Sequence, residues 1–453
     1  MSHALRAAEF LRDAERARWH DGSLWSLREK RDRAAAAVPD WESLREAAAA
    51  LKRHVLAELP FYLTRFEERA QAHRAVVHWA RDAAEHNQIV EGLLREAGAR
   101  RVVKSKSMLT EECGLNPHLE ARGIEIVDTD LGERIVQLRH ERPSHIVMPA
   151  IHLRRQEIGA LFHAELGTPE GESDPTALTL AARHDLRARF LGAQAGLTGV
   201  NFAIAETGGI VVCTNEGNAD LGTVLPPLHI ACMGIEKLIP RAADLPVFLR
   251  LLARSATGQA QTAYTSHFHG PRPGGALHIV LVDNGRSGLR ARAEFAEALT
   301  CIRCGACMNT CPVFRRSGGH SYDAVIPGPI GSVLEPARAP SAHASLPYAC
   351  SLCGSCRDVC PVRIDLPKQL LAWRAELSQG APGGALRRAG LRVARFAFER
   401  PRVYALVGAL ARRVARVLPE RWLAGRWNPW TRGRALPPTP PHSFRALYAR
   451  RRR

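Results

Sequence analysis

Two stretches of the chain carry the same cysteine pattern. Cys301, Cys304, Cys307 and Cys311 precede Pro312, and the CxxCxxCxxxCP spacing returns at Cys350, Cys353, Cys356, Cys360 and Pro361. Cysteines at this spacing in a tight loop turn three thiolates toward one iron-sulfur cube while the fourth points away, and in two-cluster proteins that fourth thiolate ligates the other cube. The assignment that follows is Cys301, Cys304, Cys307 and Cys360 on one 4Fe-4S cluster, with Cys350, Cys353, Cys356 and Cys311 on the second. Each run completes the other's site.

Zinc and disulfides are the rival uses of these thiols. A structural zinc ion takes four ligands, commonly as two CxxC pairs, and has no use for a third cysteine in each run. Disulfide frameworks belong to small secreted chains, and no charged-then-apolar leader opens this sequence. The prolines after the fourth cysteines prevent a regular helix from continuing there and suit a sharp exit from a cluster loop. Cys113, Cys213 and Cys232 lie outside the runs and read as small buried hydrophobes.

A chain of 453 residues with 46% hydrophobic content is long enough for two or three domains with their own cores. Its net charge of +18 is unevenly distributed. The segment 381–453 holds 18 Arg and no Lys against Glu399 and Glu420, a net +16, which leaves +2 for everything before it. Basicity is a property of the tail, so no nucleic-acid partner is expected. The longest uncharged apolar run of the tail, Val403 to Ala411, is far shorter than the roughly 20 residues that span a bilayer. The expectation is a cytoplasmic protein whose tail can touch the inner face of the membrane.

Residues 1–64 are rich in Ala, Arg, Glu and Leu and read as helix broken at Pro39 and Pro60, with Asp40 capping a helix to Glu58 and the charges forming a solvated face. From 65 to 290, β-rich runs alternate with helical stretches, which indicates an α/β domain with a largely parallel sheet. The runs 124–127, 145–148, 210–213, 229–232 and 278–282 predict strands; 70–98, 117–122 and 176–195 predict helices. Ligands of such sheets bind at the carboxyl ends of strands.

Three polar constellations fall at those ends. Lys104-Ser105-Lys106-Ser107 follows Val102-Val103 and offers two cations and two hydroxyls to a phosphate or carboxylate. Glu206-Thr207-Gly208-Gly209 leads into the run 210–213, and Asn215-Glu216-Gly217-Asn218 leaves it. Each alone reads as a turn. Their concentration around one strand points to a shared ligand site, with Lys104, Ser105, Lys106, Ser107, Glu206, Thr207, Asn215, Glu216 and Asn218 as candidates. No GxGxxG motif follows a strand, so no nicotinamide site of the dinucleotide-fold type is expected.

Lys104-Ser105-Lys106-Ser107-Met108 and Asp128-Thr129-Asp130-Leu131-Gly132-Glu133 resemble the lactate-utilisation domain shared by bacterial lactate utilisation proteins B and C, and Pro143-Ser144-His145, Glu206-Thr207-Gly208, Asn215-Glu216-Gly217-Asn218 and Gly270-Pro271-Arg272 continue the likeness. Cys301-Ile302-Arg303-Cys304-Gly305, Gly318-Gly319-His320-Ser321-Tyr322 and Gly328-Pro329-Ile330-Gly331 then resemble protein B, the iron-sulfur member. The resemblance runs in order over roughly residues 65–380. It implies a middle domain similar to the ribose-phosphate isomerase and CoA-transferase group, and a part in oxidising L-lactate to pyruvate. It also implies two companions: a subunit with repeated cysteine-rich domains and a second protein with a lactate-utilisation domain. It assigns no catalytic residue; Lys104, Lys106, Glu206 and Glu216 are the matched charged positions.

Residues 291–380 form the cluster domain in this reading. The pattern predicts a helix over 291–300 leading into Cys301, a helix over 366–377 capped by Asp365, and an ordered loop over 312–349 covering the clusters. Clusters held between helices resemble the helical ferredoxin domains of fumarate reductase. A hinge at Gly380-Ala381-Pro382-Gly383-Gly384 leads to the extension 381–453, where Arg387, Arg388, Arg392 and Arg395 share one helical face, as do Arg412, Arg413 and Arg416. Such faces suit an anionic membrane surface or an acidic partner; a solvated face over a docked helix is the simpler alternative. The expected function is the iron-sulfur electron-transfer subunit of a multi-component L-lactate oxidising complex. The alternatives are an iron-sulfur subunit for another hydroxy acid such as glycolate or for a quinone-linked oxidoreductase, and a redox-sensing ligand-binding protein.

Overall fold

The computed structural model describes residues 2–379, 384–423, 425, 428, 431 and 437–451, with the backbone alone for 384–388 and 420. The expected hinge at 380–383 and the side chains of Arg387 and Arg388 lie outside the described residues. Met1–Ala375 forms one compact unit and Glu376–Arg453 another.

Among the described residues the strands are β1 (Val76–Ala80), β2 (Arg101–Lys104), β3 (Glu125–Asp128), β4 (Ala195–Gly199), β5 (Phe202–Ile204), β6 (Gly209–Thr214), β7 (Leu228–Gly234), β8 (Leu238–Ile239), β9 (Tyr264–Phe268) and β10 (Ala276–Val282). Six of them form a wholly parallel sheet in the order β1-β10-β7-β4-β2-β3. β7 is buried along its whole length and β10 along most of it. Continuous apolar runs of this kind belong to parallel strands covered on both faces. The one imidazole inside β7, His229, is matched by Thr198 Oγ1 at 2.8 Å. Gly196 of β4 lets the helix Asn218–Val224 pass close by, since an added Cβ would lie 1.7 Å from the Gly222 carbonyl oxygen. From β2 the chain steps outward to β3, then returns to the other side of β2 for β4. A cleft opens where strand order reverses in this way.

The other four strands form a second sheet, β8-β5-β6-β9. The predicted strand 210–213 belongs here, as β6, paired antiparallel with β5 and β9 rather than in the parallel sheet. Glu206-Thr207-Gly208-Gly209 is the hairpin turn that forces this pairing, with Gly208 at φ 68°. An added Cβ at Gly208 would meet the Ala70 backbone nitrogen at 2.1 Å.

Elsewhere local chemistry overrides the expected pattern. The predicted helix 70–98 is two helices, Leu59–Ala72 and Ala83–Glu96, separated by β1. The Val76-Val77 pair favours a strand, and Asp82 restarts the helix by accepting from the Glu85 N–H at 2.9 Å. No strand forms over 145–148, because His145 Nδ1 accepts from the N–H groups of Val147 and Met148 at 3.0 and 3.1 Å and satisfies them without a ladder. The helix predicted over 176–195 ends at Gly192, freeing Ala195 to begin β4. Residues 291–300 contribute only a 3-10 turn, Ala296–Thr300, after the short helix Arg286–Arg290. The Gly- and Pro-rich stretch 312–349 is mostly helical, with Pro312–Ser317, Gly328–Arg338 and Pro340–His343.

The N-terminal helices are part of the same core. Ala14–Ala36 packs on Leu245–Thr257, Ala306–Thr310 and Pro312–Ser317. Several charges expected on a solvated face are buried instead: Arg31, Arg45 and Lys52. Arg45 donates to the carbonyls of Cys360 and Asp358 at 3.0 and 2.8 Å, and Arg31 donates to that of Val359 at 3.2 Å. These arginines grip the exit of the second cysteine run. Asp40 makes no cap hydrogen bond and accepts from Arg250 at 2.6 and 2.9 Å. Among the described residues no helix is long and apolar enough to cross a membrane.

Candidate metal centre and adjoining cavity

The two cysteine runs fold alike. Arg303 and Leu352, each two places after its run's first cysteine, have left-handed backbone with φ 61° and 57°, and the glycines after the second cysteines, Gly305 and Gly354, follow at 76° and 84°. Left-handed geometry costs a non-glycine residue roughly 1–2 kcal/mol. It folds the loop back so that the N–H groups of Arg303 and Leu352 donate to the Sγ atoms of Cys301 and Cys350 at 3.4 and 3.2 Å. The N–H groups of Phe314 and Ile364 donate to the fourth sulfurs, Cys311 and Cys360, at 3.5 and 3.3 Å. Donors aimed at sulfur favour thiolate over thiol.

The thiols sort into two groups by which of them crowd one another. Burial raises Cys304 far above the ordinary thiol range, and Cys360 and Cys301 raise it further. Cys307 behaves likewise, with Cys301, Cys304, Cys356 and Cys360 as its neighbours. Burial comes first at Cys356 too, followed by Cys311, Cys350 and Cys353. At Cys311, pushed up to about 11, burial is the leading cause and the thiol neighbours are Cys350 and Cys353. Cys301, Cys304, Cys307 and Cys360 thus form one neighbourhood and Cys311, Cys350, Cys353 and Cys356 the other, with Cys307 and Cys356 adjoining between them. The second four also line one small cavity with Pro329 and Ser332. All the cysteines are free thiols. Thiolates crowded four at a time into buried sites are stable only around cationic metal, so this donor set fits iron-sulfur cubes.

A larger cavity of about 490 Å³ lies where β2, β4, β6 and β7 end. Lys106, Ser107, Asn215, Glu216 and Asn218 line it. Cys304 and Arg303 of the first cysteine run form part of its wall, as do Leu252 and Ala256. Lys104 and Ser105 are buried and do not line it. Glu206 and Thr207 sit apart at the β5–β6 hairpin, where Glu206 accepts from the Ala242 N–H at 3.0 Å and Thr207 Oγ1 from that of Gly209 at 3.2 Å.

Ion pairs hold the cavity walls. Lys104 Nζ, fully buried, is 2.5 Å from Asp128, 3.2 Å from Glu111 and 3.6 Å from Glu133. Burial disfavours its charge, but Asp128, Glu133 and Glu111 outweigh that and hold it well above the ordinary lysine value. Lys106 donates to Asp130 and to the Val147 carbonyl, both at 2.9 Å. Asp130 also caps the helix Leu131–Leu138 by accepting from the Glu133 N–H at 3.1 Å. Arg286 donates to Glu112 and Glu236 at 2.9 and 2.6 Å. Burial opposes ionisation of Glu236, yet Arg286, Lys237 and Arg303 bring it down to about 2.

A LUD domain model matches residues 63–287, a 4Fe-4S dicluster domain model 297–364, and a model of the C-terminal domain of lactate utilisation protein B 368–453. The chain is 43% identical over 361 residues to lactate utilization protein B of Shouchella clausii, covering 78% of this chain and 76% of that one. It is 44% identical over 356 residues to the lactate utilization protein B of Macrococcus caseolyticus, covering 77% and 74%. The chain belongs to the lactate utilization protein B family. An uncharacterized electron transport protein of Escherichia coli, YkgF, is 40% identical over 424 residues, covering 90% of this chain and 88% of its own. A solved DUF162 family protein from Deinococcus radiodurans covers 49% of this chain and 98% of its own at 17% identity, and its TM-score of 0.28 carries no inference. As a family member the chain is an iron-sulfur, 4Fe-4S protein of lactate utilisation.

In this member of the B family, Glu236 and Lys237, which are not among the candidates read from the sequence, join the cavity directly after β7; their place at a strand's carboxyl end was the signal that could have found them. Glu112 and Arg286 lie 174 residues apart and carry no local signal of their pairing. Glu216 lines the cavity with its carboxyl raised to about 7, by burial first and then by Asp130; the Leu131 N–H, at 3.1 Å, and Lys106 pull the other way. A carboxyl with a higher pKa in the fold than in the unfolded chain binds its proton more tightly when folded, so stability falls as pH rises from about 4.5 through 7. Glu216→Gln is therefore expected to raise the thermal midpoint at pH 8 and leave it near wild type at pH 5, as thermal unfolding at the two pH values will report.

Proposed function

We propose that this chain is the iron-sulfur electron-transfer component of a multi-component system that oxidises L-lactate to pyruvate. Its ligands are Cys301, Cys304, Cys307 and Cys360 for one 4Fe-4S cluster and Cys350, Cys353, Cys356 and Cys311 for the other. The observation that carries the reading is that Cys311 of the first run lines one small cavity with Cys350, Cys353 and Cys356 of the second, while Cys304 reaches the wall of a ligand-sized cavity. The clusters, when bound, supply one-electron transfer. The chain supplies the N–H donors to sulfur, and Arg31 and Arg45 fix the loop that bears Cys360. The electron-transport name of the Escherichia coli relative supports the same role.

The α/β domain is read as similar to the isomerase and CoA-transferase group. The companions are a subunit with cysteine-rich domains and a second lactate-utilisation-domain protein. In the unit Glu376–Arg453, the helices Gly384–Glu399 and Pro401–Val417 expose Val393, Phe398, Leu406 and Val417 on chains that also carry Arg392, Arg395 and Arg412. This supports contact with a companion or with the inner membrane face. The test is an anaerobic mixture of this chain, its companions and L-lactate, followed by visible absorbance. The cluster bands are expected to bleach with L-lactate; bands that bleach with dithionite but not with L-lactate would overturn the proposal.

A further inference from the structure

Lys237 stands apart among the cations of the large cavity. Lys106 is held by Asp130, and Arg286 by Glu112 and Glu236. Lys237 lines the same cavity and makes no hydrogen bond or ion pair among the described residues. Burial disfavours the charge of Lys237 and Glu236 supports it, while Arg303 beside it opposes it. Arg303 Nη2 sits 3.5 Å from Glu112 and 3.8 Å from Glu236, carboxylates that Arg286 already occupies, and its buried Nη1 has no hydrogen-bond partner among the described residues. Two neighbouring cations with unused donors, facing a concave space, form an arrangement that an anion neutralises.

The balance of charge selects the kind of anion. Asp130 matches Lys106, and Glu112 with Glu236 match Arg286 and Arg303. Lys237 has no ion pair of its own among the described residues, and Glu216, in the same lining, has its carboxyl raised by burial first and then by Asp130. With at most one cation left unmatched, a monoanion suits the site better than a phosphate dianion. The wall opposite in character is apolar, built from Ile146, Leu252 and Ala256.

We propose that this cavity binds a small organic monocarboxylate, its carboxylate held by Lys237 and Arg303 and its carbon chain packed on Leu252 and Ala256. The site deepens the lactate-oxidation reading, on which the choice of acids rests, and it places the bound acid beside the loop of the first cysteine run.

The test is isothermal titration calorimetry of the full chain, purified anaerobically with its iron, against L-lactate, pyruvate and 2-oxohexanoate, with neutral lactamide alongside. The acids are expected to bind and lactamide to give no heat. Loss of the charge-assisted contact should weaken binding about tenfold or more in Lys237→Gln, with iron content unchanged. Lys237→Arg should restore most of the affinity. No binding of any of the three acids to wild type, or equal affinity in Lys237→Gln, overturns the site. Binding without L-lactate-dependent bleaching in the presence of companions supports the site and sinks the lactate-oxidation reading. Bleaching without binding to the isolated chain does the reverse.

Discussion

Cys311→Ser is expected to halve the iron of the protein and to remove the cluster of the second cysteine run, leaving that of its own run in place. Cys311 shares its neighbourhood with Cys350 and Cys353, while Cys304 and Cys307 crowd Cys301 and Cys360. Iron should therefore fall from about eight to about four atoms per chain, the count for one cube of two. Double replacement shows which cube is lost. Cys311→Ser with Cys353→Ser should be no worse than either alone, because both remove ligands from one cluster. Cys311→Ser with Cys304→Ser should abolish both. If the first double variant lost all iron and the second only half, the ligation would run within each cysteine run and the crossed assignment would be wrong.

Lys104→Met should destabilise the compact unit by about 3–5 kcal/mol, the range for removing one partner of a buried ion pair. The methionine fills much of the same volume, so lost packing contributes little. What remains is Asp128, buried and deprived of a cation 2.5 Å away, with Glu133 beside it. Burial raises Glu133 and Lys104 is the charge that opposes this, so removing Lys104 favours the protonated carboxyl further and softens the loss. Asp128→Asn combined with Lys104→Met should recover part of the stability, since the stranded charge is then gone. Urea unfolding of the three variants measures this. A loss under about 1 kcal/mol in Lys104→Met would mean that the cluster of charges under the cavity does not hold the fold.

The like folding of the two cysteine loops was legible in their spacing, because the left-handed turns at Arg303, Gly305, Leu352 and Gly354 are set within each run. The parallel sheet was equally plain where strands are buried on both faces, as in β7 and β10. β1 escaped notice because Val76–Ala80 is short, partly exposed and flanked by Ala and Arg, a composition that also makes helix. The N-terminal helices misled more seriously. Arg31, Arg45 and Lys52 look like any solvated helical charge, yet their acceptors are carbonyls 328, 315 and 186 residues further along. Nothing local marks such a partnership. The candidate ligand site shows both outcomes: Lys106 and Glu216 meet in one cavity, while Glu206 lies on a hairpin whose antiparallel pairing only the second sheet reveals.

Iron and acid-labile sulfide, assayed on anaerobically purified protein, test the central claim most directly. The account predicts a coloured protein with about eight of each per chain, as two four-iron cubes require. A colourless protein, or one carrying zinc without sulfide, would contradict it.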